Sequence, residues 1–250
     1  MDSVIASSDA EPRAAALLTK KRPFAQMSQD DQIYSQMFSA LLEQRLTPGT
    51  KLSEDVLGEI FGVSRTVVRK VLQRLAHEKV VCILPNRGAF VAEPTPEEAR
   101  DVLEARRVVE AGIMRNVVKH CSQTDIRRLE AMLKEEEASI EKGEHSTWVS
   151  LSGDFHMALA AISGNKSLED FLRELVSRTS LIHVQYQSKK IGTQNCSCEE
   201  HADIIDAIRD ADEGRAVSLM LSHLDAIEET LNLDGDKPES DLYAIFGGSK

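Results

Sequence analysis

Apolar residues first recur at helical spacing around Ile33, Met37 and Leu41, with Phe38 and Leu42 widening the stripe. The pattern stops at Leu46-Thr47-Pro48-Gly49, a Pro-Gly break. Ser53 to Phe61 reads as a second, short helix: Ser53 caps it, Glu54 and Asp55 fill its first turn, and Leu57, Ile60 and Phe61 point inward. After a Gly62-Val63 turn, Ser64 caps a third helix striped by Val68, Val71, Leu72 and Leu75. Two β-rich runs follow, 80–84 and 89–91, around Pro85-Asn86-Arg87-Gly88, which reads as a hairpin. Three helices and a two-stranded hairpin make the outline of a winged helix-turn-helix.

From Thr95 onward the pattern is helical throughout. Thr95-Pro96-Glu97-Glu98 is a capped start, and Val102, Ala105, Val109 and Ile113 stripe a helix running to about His120. Further helices are expected over about 125–142, 146–162, 167–187, 199–211 and 213–231, with a loop over 188–198. Short connections between amphipathic helices give an antiparallel six-helix bundle. The chain is thus expected to be mainly α, with a polar arm (1–27), a winged helix-turn-helix (28–92), a linker (93–95), the bundle (96–232) and a tail (233–250). Leu242, Tyr243, Ile245 and Phe246 of the tail could dock on a partner, and Lys20-Lys21-Arg22 of the arm is either a phosphate contact or a solvated linker.

Charge sharpens this division. The chain of 250 residues carries a net charge of -11, which taken alone argues against nucleic acid. Residues 1–92, however, hold 12 Lys+Arg against 10 Asp+Glu, and the remainder 18 against 31. The acid is confined to the second region, and ionic screening keeps it from swamping the basic helix. Four cysteines do not form a disulfide framework at this length, no apolar run suits a membrane span, and the first residues lack a signal peptide. A cytoplasmic protein is expected.

The third helix bears Arg65, Arg69, Lys70 and Arg74 with no acid among them, as a helix entering the major groove requires; a solvated helix face is the alternative. With the hairpin included, L-T-P-G-T-K-L-S-E, G-V-S-R-T-V-V-R and N-R-G-A-F-V-A closely resemble the DNA-binding domain of the GntR family of bacterial transcription regulators, without a gap over about 32–92. The resemblance implies recognition by Arg65 and Arg69, with Ser64, Thr66 and Lys70 beside them and Asn86-Arg87-Gly88 at the wing tip. An Arg fork suits the O6/N7 edge of guanine, and hydroxyls suit phosphates. Three positions depart from the family: Asp55 where a phosphate-contacting Arg is usual, Lys70 where Glu is common, and Val67 where Pro is common.

Three histidines, His156, His201 and His223, fall at inward positions on three bundle helices. By spacing alone a metal site and ordinary core histidines weigh equally. Asp101 to Glu110, Phe155-His156 with Ser163-Gly164-Asn165, Glu200-His201 and Met220 to Leu224 resemble the FCD effector-domain branch of the same family. That branch holds a divalent metal on three His and an Asp four residues before the first, and the metal helps bind a small carboxylate. The three His match, but Ser152 stands where the Asp would be, and Asp154 lies about 200° round the helix from that position. A three-His site with open positions and a weak Ser152 contact is expected, favouring zinc or nickel over magnesium or calcium.

Arg106 matches the family's pocket arginine and suits a bidentate carboxylate clamp; a salt bridge to Glu110, one turn on, is the alternative. Arg178 is a second candidate. Cys196 and Cys198 precede His201 and read as loop thiols, with a soft auxiliary ligand or redox sensor as the alternative. The expected function is a DNA-binding transcription regulator, in sense a repressor, and not an enzyme. It would pair as a homodimer on a near-palindromic operator and answer to a small carboxylate. The rivals are a metal-dependent hydrolase fused to a DNA-binding module, and a DNA-binding dimer indifferent to any effector.

Overall fold

The computed structural model describes residues 27–42, 45–187 and 194–234, without the side chains of 194–197. The expected arm up to residue 26, with Lys20-Lys21-Arg22, and the tail from residue 235 lie outside the described residues, as does the Cys196 side chain.

The first part runs α1 (Gln29–Leu42), β1 (Lys51–Leu52), α2 (Glu54–Phe61), α3 (Arg65–His77), β2 (Val81–Leu84) and β3 (Gly88–Val91). The strands form one antiparallel sheet in the order β1-β3-β2. The hairpin expected from sequence is present, with Leu84 opposite Gly88, and β1 adds a third strand that two residues were too few to announce. Tyr34, Phe38, Val68, Leu72, Leu75 and Val91 share one core under α1, α3 and the sheet. α2 ends where Gly62 turns left-handed at φ 63°, and its N–H reaches carbonyls of Gly58 and Glu59, so the chain can redirect into α3. One inward assignment is corrected: Ile60 is 67% exposed, because the face of α2 that meets α3 passes through Leu57, Gly58 and Phe61.

Six helices follow among the described residues: α4 (Pro96–His120), α5 (Gln123–Glu141), α6 (His145–Ile162), α7 (Lys166–Tyr186), α8 (Gln194–Arg209) and α9 (Glu213–Glu229). Four of these six starts are chemically marked, whereas Ser53 and Ser64, expected as caps, precede α2 and α3 without a side-chain cap bond. Thr95 and Glu98 form a reciprocal capping box, Ser122 and Asp125 another, and Asn165 and Asp212 cap with their side chains. Ile113, Leu129, Phe155, Leu159, Leu172, Ile204 and Leu224 pack in the centre. Burying each such side chain contributes roughly 1.5–3 kcal/mol.

Two boundaries and one stripe differ from the sequence expectation. α8 begins at Gln194, so the expected loop ends before Cys198, and α8 stops at Arg209. Ala105 is exposed, and the inward row of α4 instead passes through Val102, Leu103, Arg106, Glu110, Ile113 and Met114. An apolar template mistook the inner face because two of its members are charged.

α7 joins the two parts. Leu181 of α7 is buried in the core of the winged part. Glu78, just past α3, accepts hydrogen bonds from Tyr34 Oη (2.6 Å) and from Ser177 Oγ of α7 (3.1 Å). The Tyr186 hydroxyl and Gln185 amide both donate to the Pro94 carbonyl, at 2.7 and 3.1 Å.

Candidate functional site

Three helices carry the imidazoles to one point. His156 comes from α6, His201 from α8 and His223 from α9; all three are buried, and their candidate ligand atoms lie within 4.8 Å of one another. His223 Nε2 stands 3.2 Å from His156 Nε2 and 3.3 Å from His201 Nε2. Each ring is aimed by a carboxylate at its other nitrogen. Glu110 Oε2 accepts from His156 Nδ1 at 2.5 Å, Glu136 Oε2 from His201 Nδ1 at 2.8 Å, and Glu200 Oε2 from His223 Nδ1 at 2.7 Å.

These bonds fix the tautomer. A proton on each Nδ1, shared with a carboxylate, leaves every Nε2 with a lone pair directed at the same small volume. Burial, with Arg106 and His223 nearby, pulls His156 down to about 3 against the opposing pull of Glu110, so the ring is neutral at pH 7. His223 is lowered chiefly by burial as well. Lone pairs facing one another this closely repel unless a cation lies between them. A tetrahedral zinc with Zn–N bonds of about 2.0–2.1 Å holds its nitrogens about 3.3 Å apart, which is the spacing His223 Nε2 keeps from each of the other two. Three buried histidines, each backed by a carboxylate, can therefore hold a divalent metal.

Sequence reasoning found the three imidazoles and missed two of their carboxylates. Glu136 sits in a Glu-rich stretch that reads as a solvated face, and Glu200 seemed only a neighbour of His201. In the sequence Glu110 reads only as a partner of Arg106. The structure gives it both roles: its Oε1 accepts from Arg106 Nε at 2.6 Å while Oε2 holds His156. Burial alone would raise the Glu110 carboxyl; the N–H it accepts from His156 and the Arg106 guanidinium outweigh it and hold the group below the usual carboxylate range.

A cavity of about 350 Å³ opens beside the imidazoles. Its lining includes Arg106, Ser152, His156, Thr179, Glu200 and His223. Arg106 makes the salt bridge to Glu110 that the sequence offered as the alternative, and it also lines the cavity. Ser152 lines the cavity one turn before His156 and presents a hydroxyl where a carboxylate would sit. Asp154 is buried elsewhere on α6 and is not in the lining. Arg178 is not in the lining either; its guanidinium lies 3.7 Å from Glu174. Cys198 is buried, and burial together with Glu136 and Glu137 pushes its thiol up to about 12, so it is protonated at pH 7. It is not one of the converging ligands among the described residues.

The other candidate surface is the exposed start of α3. Ser64, Arg65, Thr66, Arg69 and Lys70 are all exposed, and the guanidinium side chains of Arg65 and Arg69 stand 71% and 59% open. Asn86, Arg87 and Gly88 are exposed at the hairpin tip, where Asn86 (φ 60°) and Gly88 (φ 95°) make the left-handed turn. The basic side chains are not free. Arg65 pairs with Asp55, Arg69 grips Glu54 through two bonds of 2.6 and 3.0 Å, and Lys70 meets Asp30 at 2.6 Å.

Residues 29–91 match the bacterial regulatory proteins of the gntR family, and residues 101–226 match the FCD domain. The chain is 25% identical over 203 residues to the HTH-type transcriptional repressor RspR of Escherichia coli K12, covering 81% of this chain and 88% of that one. It is 28% identical over 211 residues to the regulator LutR of Bacillus subtilis 168, covering 75% and 94%. The solved structure of E. coli McbR/YncC shares the fold at TM-score 0.70 and 20% identity, covering 80% of this chain and 94% of that one. A GntR regulator from Rhodococcus sp. RHA1 does so at TM-score 0.68 and 23% identity, covering 82% and 98%. These relatives are transcriptional regulators rather than enzymes. With a winged helix-turn-helix in front and an FCD domain behind, the chain belongs to the GntR family of DNA-binding transcriptional regulators.

Proposed function

We propose that this regulator is a metal-loaded, carboxylate-responsive repressor that acts as a homodimer in the cytoplasm. The observation that carries the reading is the convergence of three carboxylate-backed imidazoles on a cavity that also holds a buried arginine. His156, His201 and His223 would hold the ion, with zinc or nickel favoured because the donors are nitrogens. Bound there, the ion supplies a positive centre for a carboxylate oxygen. Arg106 has its Nε committed to Glu110, and its remaining N–H groups serve a ligand anion. Ser152 contributes a hydroxyl and no charge, which leaves the site one negative charge poorer than a site with Asp and favours an anionic ligand.

On the DNA side, Arg65 and Arg69 read base edges, Ser64, Thr66 and Lys70 meet phosphates, and Asn86-Arg87-Gly88 enters the minor groove. A dimer matches a near-palindromic operator with two such units. Val108 on α4 and Phe171 on α7, 72% and 63% exposed, are large apolar side chains left open to a second copy. Elemental analysis after incubation with zinc or nickel tests the metal: about one ion per chain is expected, and none above background defeats the reading. Operator binding by Arg65→Ala, compared on specific and random duplex, tests the recognition role. A loss of about 1–3 kcal/mol confined to the operator is expected, and equal loss on both would assign Arg65 to phosphate.

A further inference from the structure

The three carboxylates behind the imidazoles are not equivalent. Glu110 and Glu136 are sealed in the bundle. Both oxygens of Glu110 are committed, one to Arg106 and one to His156. Glu200 differs. Its side chain is 32% exposed, it lines the cavity, and its Oε2 accepts from His223 Nδ1 at 2.7 Å. Its other oxygen, Oε1, is neither bonded nor sealed from solvent among the described residues. No lysine or arginine among the described residues pairs with Glu200, and Arg106 is the only such cation in the cavity lining.

Formal charges balance before any effector enters. A divalent ion and Arg106 bring three positive charges, Glu110, Glu136 and Glu200 bring three negative ones, and Ser152 adds none. A bare carboxylate would therefore carry an unmatched charge into a largely buried site, which costs free energy. It would also meet the negative Glu200 on the same wall. A ligand with an ammonium group of its own brings no net charge. Its acid group suits Arg106 and the ion, and its ammonium gives Glu200 Oε1 a charged donor. The spacing bears on where that ammonium sits. Arg106 reaches His156 through Glu110, while Glu200 holds His223. The two rings stack with centroids 5.2 Å apart and turn their Nε2 atoms towards each other, so the two carboxylates hold the imidazole pair from opposite sides. An ammonium several carbons from the carboxylate spans that pair.

We infer that Glu200 is a specificity-determining residue of the effector site, and that the ligand is an amino acid whose ammonium group lies several carbons from its carboxylate. The inference rests on the effector reading above and adds to it the charge of the ligand's second group.

Calorimetry on the zinc-loaded full-length protein tests it, with the zinc content checked before each titration. The probes are the acids from propanoate to hexanoate, the same acids with a terminal amine, and the matching dicarboxylates. At the chain length that fits, the amino acid is expected to bind about tenfold tighter than its parent acid, and the dicarboxylate weakest of the three. Titration in two buffers of different ionisation heat should show no proton release, because an ammonium paired with Glu200 keeps its protons. Release would put the amine on the ion and overturn the assignment. Glu200→Gln keeps an acceptor for His223 and removes the charge, so the tenfold ratio should fall close to one. Glu229→Gln, at the other acid in the lining, should leave the ratio unchanged. A ratio that survives the first substitution, or collapses in the second, overturns the role of Glu200. So does a ratio of one at every chain length in the unsubstituted protein. Arg106→Gln reports separately on the carboxylate reading. Parent acids that bind equally well to that variant sink the effector reading. Parent acids that need Arg106, with no benefit from the amine, sink only the present inference, and failure of every acid to bind removes both.

Discussion

Glu136 shows how much of the site is set by a single side chain outside the ligand set. It is buried, and its Oε2 accepts from His201 Nδ1, so it decides which nitrogen of that ring keeps its lone pair. Glu136→Gln replaces a charged acceptor by a neutral one of the same shape. Zinc affinity should fall about 10- to 100-fold, read by competition with a chromophoric chelator, with helix content unchanged. His183 offers a second test, in acid. Its pKa is lowered to about 4, so the unfolded chain takes up a proton near the ordinary imidazole value that the folded chain refuses. Stability from this group is therefore complete above about pH 6.5 and is lost as pH falls towards 4. Denaturant unfolding of His183→Phe across that window should show a shallower dependence on pH than the parent; an identical slope would contradict the assignment.

At the level of the element, α2 and α3 form a charged pair rather than a basic helix on a neutral support. Asp55 and Glu54 of α2 lie against Arg65 and Arg69 of α3 and would compete with DNA for the same guanidinium groups. Exposed ion pairs contribute little to folding, but they subtract directly from sequence-independent attraction to a polyanion. Glu54→Gln combined with Asp55→Asn should raise affinity for random duplex more than for operator, with a steeper fall as salt increases. Fluorescence anisotropy on both duplexes over a salt series reads this. Unchanged random-duplex binding would mean that the pairs dissolve on contact with DNA at no cost. Asp55, which by sequence alone reads only as a lost phosphate contact, is by position an ion-pair partner of α3.

Over the whole molecule, α7 is the element that touches both the cavity and the winged part. One face lines the cavity through Val176, Thr179, Ser180 and His183, while Ser177 and Leu181 reach the winged part. On the proposed function, a ligand that displaced or stiffened α7 would act on the support of α3 through Glu78 and Tyr34. Any such coupling is reciprocal between the two sites. Hydrogen exchange offers a readout that needs no effector: zinc should slow exchange in α1 and α3 as well as in the bundle. In Ser177→Ala combined with Leu181→Ala, the protection of α1 and α3 should be lost while that of α8 and α9 remains. Protection that persists across α3 would place the coupling elsewhere.

The order of elements, the capped start at Thr95, the hairpin turn and the three inward imidazoles were legible in the chain, because each depends on residues close in sequence or on a repeating period. Gly62, Thr95 with Glu98, and Ser122 with Asp125 act within a turn of themselves, so their effect is local. What only the tertiary structure decided are contacts between residues far apart in the chain. Glu136 reaches His201 across 65 positions, Glu78 reaches Ser177 across 99, and Trp148 meets His183 from the next helix. Such pairs leave no period behind, and where charged residues take the inner face, as Arg106 and Glu110 do, hydrophobic patterning points the wrong way. Burial then turns ordinary side chains into a site, since an unshared charge or an unpaired polar atom costs little in water and much inside the bundle.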